Sequence, residues 1–379
     1  MGKTTQTIAL PAPAPGNQHT LTVHRYGAGR PKAYLHAALH ADEWPGLLVL
    51  HHLIRLLDQA AAQDAIRGEV VVVPVANPVG LGQFLNGYWL GRYDFDTTGN
   101  FNRSFADLTE PVWEAVGSGL QADADANAEL IRAALHQAVA ALPRRREADA
   151  LKATLMGLAI DADVVLDLHC DGEALLHLYA SSRHRQTAAE LGAQIGAPVV
   201  LLEDNPGGGA FDDFLARVWW RLQERAGKAF PIPLGCFAAT VEYRGRADVY
   251  DDLASDDAAR LFKFLQRRGV IAGAPGPLPS ALGEPTPLEG TDVIDAPAAG
   301  IVAYRKALGD WVEEGEVVAD LIDLTAADPA TARTPMRSRT RGLLFARMAE
   351  KLVRPGQHVC KIAGTTPLAH RQPGKLLED

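Results

Sequence analysis

From about residue 20 to residue 265, short β-branched runs alternate with longer Ala- and Leu-rich amphipathic segments. This pattern constrains the fold most, because parallel strands need long connections and those connections are usually helices. It predicts an α/β region in which helices flank a mostly parallel or mixed sheet. The predicted strands are Ala33–Leu39, Glu69–Val75, Asp163–Leu168, Pro198–Leu202 and Ala238–Glu242.

Two of the predicted helices have the clearest pattern. Leu47–Leu57 carries apolar residues at a helical period, and Pro45 stands where a first-turn proline is tolerated. The segment Leu120–Leu142 is rich in alanine and is followed by Pro143, which cannot continue a helix. We therefore expect one helix directly after the first predicted strand and another before the third.

A Pro- and Gly-rich stretch at residues 272–289 is unsuited to a helix or a central strand. We interpret it as a linker between an α/β domain, residues 1–271, and a smaller region with the C-terminal tail, residues 290–379. The smaller region differs from the larger one in its pattern. Glycine-centred turns recur there at a spacing of about 42 residues, which predicts a quasi-repeat of short strands in a small all-β domain.

Composition excludes several classes of protein. Hydrophobic residues make up 47% of the chain and charged residues 22%, as in globular proteins. The 37 Lys and Arg residues are outnumbered by 46 Asp and Glu residues, so no broad basic surface is expected and nucleic acid is not a predicted partner. The longest apolar runs, such as Val70–Val73, are much shorter than the ~18 residues of a membrane span, so no membrane partner is predicted either.

The cellular location is predicted from two further observations. Residues 1–15 lack the cationic start and apolar core of a secretory signal. The three cysteines, Cys170, Cys236 and Cys360, are few and widely spaced, which favours a reducing compartment over a disulfide framework. The sequence therefore predicts a cytoplasmic protein.

Polar side chains that can take part in catalysis or metal binding stand at the ends of four predicted strands: His40, Asn77, His169 and Glu242. In open α/β sheets the ligand crevice lies just beyond the carboxyl ends of the strands. Residues that are distant in sequence are therefore expected to converge there.

His40 and Glu43 are three residues apart across a predicted strand-to-helix turn, and His169 stands at the end of another strand. Hydrolytic zinc sites use three ligands of these types and keep one position open for water. Asp167 is placed to orient a ligand histidine from behind. The alternative is a first-turn Glu43 that complements the helix N-terminus beside a half-buried His40 with a satisfied hydrogen bond.

Other candidates have less distinctive patterns. Strand alternation puts His36 inside the sheet, where it is expected to be a core histidine. Glu242 ends an apolar strand, where partial burial would raise its pKa and suit it to act as a general base, and an ion pair with Arg244 or Arg246 is the alternative. The arginines near residues 92–103 would clamp a substrate carboxylate or stabilise an oxyanion, unless they are solvated loop residues.

Taken in order, these motifs resemble the succinylglutamate desuccinylase/aspartoacylase branch of the zinc carboxypeptidase-like superfamily. The resemblance covers about residues 33–245. It rests on His40-Ala-Asp-Glu43-Trp44, Asn77-Pro78-x-Gly80, Asn102-Arg103-x-Phe105, Asp167-Leu-His169 and Val241-Glu242. One block is longer here than the family's Arg-Tyr-x-Asp-x-Asp-Leu-Asn-Arg, with extra residues around Thr97–Gly99 and Phe101 in place of leucine.

The resemblance implies a zinc carboxypeptidase-like fold and a set of roles. One Zn²⁺ per chain would be held by three ligands, which are His40, Glu43 and His169. Glu242 would be the general base and acid, and Arg92 would polarise the scissile carbonyl. The residues implied to bind substrate are Asn77, Asn102 and Arg103.

The C-terminal part, over about residues 290–364, resembles the biotinyl/lipoyl-type barrel-sandwich hybrid. In those carriers an exposed lysine accepts the cofactor, whereas the nearest match here is Met336-Arg337-Ser338, and arginine cannot form that amide. We therefore expect an unmodified domain. In the family branch that the chain resembles, such a domain narrows access to the active site.

These observations together predict a zinc-dependent amidohydrolase that cleaves the amide bond of an N-acyl amino acid or a similar small N-acylated amine. A metallocarboxypeptidase acting on peptides uses the same chemistry and is the first alternative. A non-catalytic binding or carrier protein is an alternative of another class. A homo-oligomer is left open, and the insertion-like segment 106–146 would cover either the crevice or an oligomer surface.

Overall fold

The computed structural model describes residues 2–204 and 207–371. The strands, numbered in chain order, are β1 (Lys3–Ala9), β2 (Thr20–Gly27), β3 (Lys32–Ala37), β4 (Glu69–Val73), β5 (Phe84–Leu85), β6 (Tyr88–Trp89), β7 (Val164–Asp171), β8 (Glu173–Ala174), β9 (His177–Ser181), β10 (Val199–Glu203), β11 (Phe237–Gly245), β12 (Thr286–Pro287), β13 (Thr291–Asp295), β14 (Gly300–Tyr304), β15 (Trp311–Val312), β16 (Val317–Ile322), β17 (Arg333–Arg337), β18 (Gly342–Arg347), β19 (Leu352–Val353) and β20 (His358–Gly364). The α-helices are α1 (Pro45–Ala62), α2 (Pro78–Leu81), α3 (Thr109–Val116), α4 (Ala124–Ala140), α5 (Glu147–Ala159), α6 (Arg185–Ile195), α7 (Phe211–Ala226) and α8 (Asp251–Arg267). Short 3₁₀ helices span Ser182–His184 and Leu288–Gly290.

The chain divides into two compact units, and each unit is built from separate pieces of sequence. The first unit comprises Met1–His169, Gly207–Val241 and Val249–Leu278. The second comprises Cys170–Pro206, Glu242–Asp248 and Pro279–Asp379. This division is not linear, so it differs from the domains 1–271 and 290–379 with their linker at 272–289. Those linear domains stay a prediction.

The first unit is built on a mixed sheet, as the sequence predicts. Its strand order is β1-β2-β4-β3-β7-β11. The central strand β3 pairs in parallel with β4 and β7, whereas β2 pairs antiparallel with β4 and β1. All six residues of β3 are buried, and so are the four valines of β4. Apolar side chains on both faces are typical of strands in the middle of an α/β sheet.

The helices of the first unit follow local sequence signals. α1 begins at Pro45, where the missing N–H of proline costs nothing, and extends to Ala62, beyond the predicted end. α4 lies inside the predicted segment 120–142. Its N-cap residue Asp123 accepts hydrogen bonds from the N–H groups of the first turn. These two predicted helices are confirmed, with adjusted ends.

The end of β7 differs from the sequence prediction. The predicted strand Asp163–Leu168 runs from Val164 to Asp171, so His169 lies within the strand and not after it. In the pairing of β3 with β7, Ala37 at the end of β3 is opposite Leu168. His169 is therefore the first residue of β7 beyond the end of β3, which still puts it at the rim of that strand pair. Glu242 likewise lies within β11 and not at its end.

The second unit contains two antiparallel four-stranded sheets formed by β13 to β20. One has the order β13-β20-β18-β15 and the other has the order β17-β16-β14-β19. At each position the two orders differ by four strands: β13 corresponds to β17, β20 to β16, β18 to β14 and β15 to β19. This correspondence agrees with the predicted quasi-repeat. Residues from both sheets share one hydrophobic core, including Val318, Leu344 and Ile362. The same unit holds three parallel strands in the order β9-β10-β12.

Two further sequence predictions concern the whole chain. Among the residues that the structure describes, no helix is both long and apolar enough to cross a bilayer. All three cysteines are buried and carry free thiols.

Candidate metal centre

Three side chains of the first unit converge at the carboxyl end of β3. His40 Nδ1 lies 3.0 Å from Glu43 Oε1, and His169 Nδ1 lies 2.7 Å from Glu43 Oε2. One donor atom from each residue falls within 4.8 Å of the others. Each of the three residues is only 3% exposed. We call these three residues the donor group.

The loop between β3 and α1 positions two members of the donor group. The N–H of Glu43 donates to the carbonyl oxygen of His40 in a tight turn, and the indole Nε1 of Trp44 donates to the carbonyl oxygen of Ala41. The N–H of Ala41 donates to the carbonyl oxygen of Gly91. A Cβ at Gly91 would lie 2.5 Å from the Cβ of Ala41, so only glycine permits this approach.

Each imidazole is held from behind by its other nitrogen. Nε2 of His40 lies 2.8 Å from Oδ1 of Asn100, and Nε2 of His169 lies 2.8 Å from Oδ1 of Asp167. Both partners are oxygen acceptors, so both Nε2 atoms carry the proton and donate it. The two Nδ1 atoms face the carboxylate of Glu43 and are the ring nitrogens available to a cation.

This donor set fits a divalent cation. Two imidazole nitrogens and a carboxylate are the ligand types of hydrolytic zinc sites, and each imidazole has the hydrogen-bonded support that metal-binding histidines usually have. Asp167 occupies the position that the sequence predicts for it. The structure thus brings His40, Glu43 and His169 together, and their role as metal ligands stays a prediction.

Burial and neighbouring charges shift the pKa values of the three residues in different directions. Burial alone would raise the pKa of Glu43, but His40 and His169 outweigh burial and hold it well below its usual range. Burial and the positive charge of Arg92 lower the pKa of His40. His169 has a raised pKa despite its burial, because it faces the carboxylates of Asp167 and Glu43. The carboxylate of Glu43 is therefore ionised at the centre of the group.

Arg92 reaches the donor group from a separate loop. Its Nη1 lies 3.2 Å from Glu43 Oε1 and 3.3 Å from His40 Nδ1. Its side chain keeps 23% exposure. The structure thus places Arg92 beside the donor group, and its role towards a substrate stays a prediction.

The extra residues that follow Arg92 in sequence fold back on themselves. Asp94 N donates to the carbonyl oxygen of Gly99, and the carboxylate of Asp94 accepts hydrogen bonds from Thr97. Phe101 N then donates to the carbonyl oxygen of Arg92. The insertion is thus a closed turn, and the two halves of the longer block lie side by side.

Two residues predicted to bind substrate are buried and bonded within the protein. Nδ2 of Asn77 donates to the carbonyl oxygen of Leu39, and its Oδ1 accepts from the N–H of Gly80 at the start of α2. Oδ1 of Asn102 accepts from the N–H of Phe211, the first residue of α7. The structure thus gives both asparagines contacts that hold elements together, and their contact with substrate stays a prediction.

The two remaining predicted residues are partly exposed. Arg103 is half-buried, and its Nη1 donates to the carbonyl oxygen of Asn102. Glu242 is half-buried in β11 and belongs to the second unit. Their predicted roles, substrate binding for Arg103 and general base for Glu242, stay predictions.

Sequence reasoning missed two supporting residues. Asn100 accepts the hydrogen bond from His40, although it belongs to a block that was singled out for its arginines. Lys152, on α5, donates from Nζ to the carbonyl oxygen of Arg103 at 2.7 Å and so ties down the loop that carries Asn100. The position of Asn100 two residues before Asn102 was a usable signal for the first residue. A lone lysine on an amphipathic helix gives no signal for the second.

Comparison with known protein families identifies the α/β part of the chain. Residues 29–222 match the family described as the succinylglutamate desuccinylase/aspartoacylase catalytic domain. The match contains the donor group, Arg92 and the supporting residues on the loop that follows.

Similar proteins extend the match over most of the chain. The N-alpha-acetyl-L-2,4-diaminobutyric acid deacetylase of Halomonas elongata is 25% identical, over 90% of this chain and 84% of the relative. The crystal structure of a succinylglutamate desuccinylase/aspartoacylase family protein of Shewanella amazonensis SB2B is 28% identical, with a TM-score of 0.83 over 95% of this chain and 98% of the other. A structure from Shewanella frigidimarina is 23% identical with a TM-score of 0.86, over 96% of this chain and 97% of the other, and shows the shared fold.

Proposed function

Because the chain belongs to the succinylglutamate desuccinylase/aspartoacylase family, we propose that it is a zinc-dependent deacylase. Its substrate is an N-acylated amino acid or a similar small N-acylated amine, and the reaction hydrolyses the acyl amide bond. The Halomonas relative, named as a deacetylase of an N-acetylated diamino acid, supports this substrate class. The cytoplasmic location remains a prediction for this protein, and its oligomeric state remains open.

The observation that carries the proposal is the convergence of the donor group with Arg92. Three buried electron-pair donors meet at one point, and a guanidinium lies 3.2 Å from the carboxylate among them. A structural zinc site is normally closed by four protein ligands, whereas a catalytic site has three and an open position. Three metal ligands beside a guanidinium that can donate a hydrogen bond to a carbonyl oxygen are an arrangement suited to hydrolysis of a carbonyl compound.

His40, Glu43 and His169 would hold the zinc ion. When bound, Zn²⁺ acts as a Lewis acid and lowers the pKa of a water molecule towards neutrality. Asn100 and Asp167 keep the two imidazoles oriented, so that no reorganisation is needed when substrate arrives. The guanidinium of Arg92 donates a hydrogen bond to the carbonyl oxygen of the substrate and stabilises the negative charge that grows there.

Glu242 is proposed to move the proton. Its carboxylate accepts a proton from the attacking water as the water oxygen bonds to the amide carbon. It returns that proton to the amine nitrogen as the carbon–nitrogen bond breaks, which yields a carboxylic acid and a free amine. Arg103 is proposed to bind the carboxylate of the amino acid moiety through its planar fork of donors.

The test combines metal analysis with a substrate panel. Purified protein should contain about one zinc per chain and release amine from N-acetyl or N-succinyl amino acids, with little activity on dipeptides. The His40→Ala, His169→Ala double variant should lose both zinc and activity. His51→Ala, which removes an exposed histidine of α1, is the matched control and should keep both.

Two outcomes would contradict the proposal. Turnover of peptides with no turnover of N-acyl amino acids would identify a carboxypeptidase instead. Zinc that is retained in full by the double variant would remove the proposed site.

A further inference from the structure

We propose that His36 is a positioning residue that holds Asp167, and through Asp167 the metal-facing imidazole of His169. The inference deepens the proposed function and rests on it. It concerns a residue in the core of the sheet that has no contact with substrate. On the sequence alone His36 is a packing residue, and the structure confirms its burial.

The geometry places His36 directly behind Asp167. His36 lies on β3 opposite Asp167 on β7, and both residues are fully buried. Nε2 of His36 lies 2.6 Å from Oδ1 of Asp167, the same oxygen that lies 2.8 Å from Nε2 of His169. A single carboxylate oxygen thus joins the core histidine to the histidine of the donor group.

The hydrogen bonds assign a proton to each atom of this chain. Oδ1 of Asp167 is an acceptor, so His36 donates from Nε2 and leaves its Nδ1 as an acceptor. The hydroxyl of Tyr34, 2.9 Å away, donates to that Nδ1. The chain Tyr34–His36–Asp167–His169 therefore has one donor and one acceptor at each link, and it ends with Nδ1 of His169 facing the carboxylate of Glu43.

His36 is the closest of the partners that hold Asp167. The third partner, Nδ2 of Asn102, is 3.3 Å from Oδ2. Without His36, the carboxylate of Asp167 would keep two partners among the described residues, this long contact and the bond to His169 itself, and it could rotate about its χ2 angle. A rotated carboxylate would no longer define the orientation of the imidazole.

Packing alone does not require a histidine at this position. The neighbours of His36 include Val73 in the paired strand β4 and the ring of Phe211, whose centroid is 4.5 Å away. An apolar side chain would pack against them without the cost of burying polar atoms. The buried polar ring of His36 is instead explained by its hydrogen bond to the carboxylate of Asp167.

The test compares two amides that differ only in reach. In His36→Gln, the side-chain N–H takes the place of Nε2–H and still reaches Asp167, whereas in His36→Asn the N–H takes the place of Nδ1 and does not. Zinc affinity is measured by competition with a chelator, and thermal unfolding is measured with and without zinc. Val73→Ala is the control, because it disturbs the same core and leaves the hydrogen bonds of His36 in place.

We expect His36→Asn to weaken zinc binding by roughly 10- to 100-fold, the range for partners that support metal ligands. His36→Gln should stay within about threefold of wild type, as should Val73→Ala even where its unfolding temperature is lower. Equal zinc affinity in the Gln and Asn variants would overturn the positioning role. Absence of zinc binding by the wild-type protein would instead overturn the proposed function, and this inference with it.

Discussion

Two neighbouring regions of the first unit differ sharply in how their side chains are held. In the donor group each residue is buried and hydrogen-bonded, and the backbone around it is fixed by the sheet. Residues 83–95, which we call the aromatic lobe, expose seven large apolar side chains: Phe84, Leu85, Tyr88, Trp89, Leu90, Tyr93 and Phe95. The donor group has fixed atoms that suit metal binding, whereas the aromatic lobe presents an apolar surface.

The contrast is informative because the two regions are joined. Trp89 of the lobe packs edge-on against Trp44, which follows Glu43, with ring centroids 5.7 Å apart. Gln83 closes the base of the lobe by donating to the carbonyl oxygens of Leu90 and Tyr93. The lobe is therefore anchored at its base and exposed at its tip. We expect substitutions near the donor group to remove metal binding and catalysis, and substitutions at the tip of the lobe to have little effect on either.

The largest effect is expected for Glu43→Gln. The change removes the only negative charge of the donor group, and it leaves two imidazoles beside the cationic Arg92. Zinc content should fall to near zero and kcat/KM should fall by at least about a thousandfold, since the reaction depends on the metal. Elemental analysis and an amine-release assay measure the two quantities. Full zinc content in this variant would show that the donor group is not the binding site.

Arg92→Ala tests the point where the two regions meet. Arg92 lies within the aromatic lobe in sequence, but its guanidinium contacts Glu43 and His40 of the donor group. Its substitution therefore shows whether it acts on the substrate or on the metal. If it stabilises charge on the substrate oxygen, kcat should fall by roughly 10²- to 10³-fold while zinc content stays at one per chain. Arg103→Ala is the comparison variant and should raise KM more than it lowers kcat. Loss of zinc from Arg92→Ala would assign the residue to metal binding instead.

The sequence predicted the donor group because His40 and His169 follow the apolar cores of two strands, and the topology of the sheet brings such positions to one rim. His40 and His169 are distant in sequence, and parallel pairing of β3 with β7 brings them to one rim. The supporting contacts were not predictable in the same way. Whether Asn100 or Lys152 turns towards the site depends on loop conformation, which has no period along the chain.

The errors in the predicted fold elements also have physical causes. β1 was missed because Lys3–Ala9 is an almost fully exposed edge strand and lacks the alternation that marks a buried face. β7 runs three residues past its predicted end because pairing, and not residue type, decides where a strand stops. The two units interleave in sequence because strands such as β8 and β18 pair across long stretches of chain.

Asn100→Leu should have a moderate effect. Nε2–H of His40 would lose its acceptor, and a buried donor without a partner costs about 1–3 kcal/mol. We expect zinc affinity to fall by roughly tenfold, with competition against a chelator as the measurement. Asn100→Asp keeps an acceptor oxygen and should bind zinc at least as well as wild type. Equal weakening by both changes would indicate that the amide group of Asn100 has another role.

The smallest effect is expected at the tip of the aromatic lobe. Tyr88 is 71% exposed, so Tyr88→Ser removes no buried contact and should change stability by no more than about 0.5 kcal/mol. Zinc content and kcat should be unchanged, and KM should change only a few-fold, by an amount that depends on how apolar the substrate is. Trp89→Ala is the matched variant, and its KM effect should be larger because Trp89 packs on Trp44 beside the donor group. Loss of zinc from Tyr88→Ser would show that the lobe supports the metal site, and the distinction between the two regions would no longer hold.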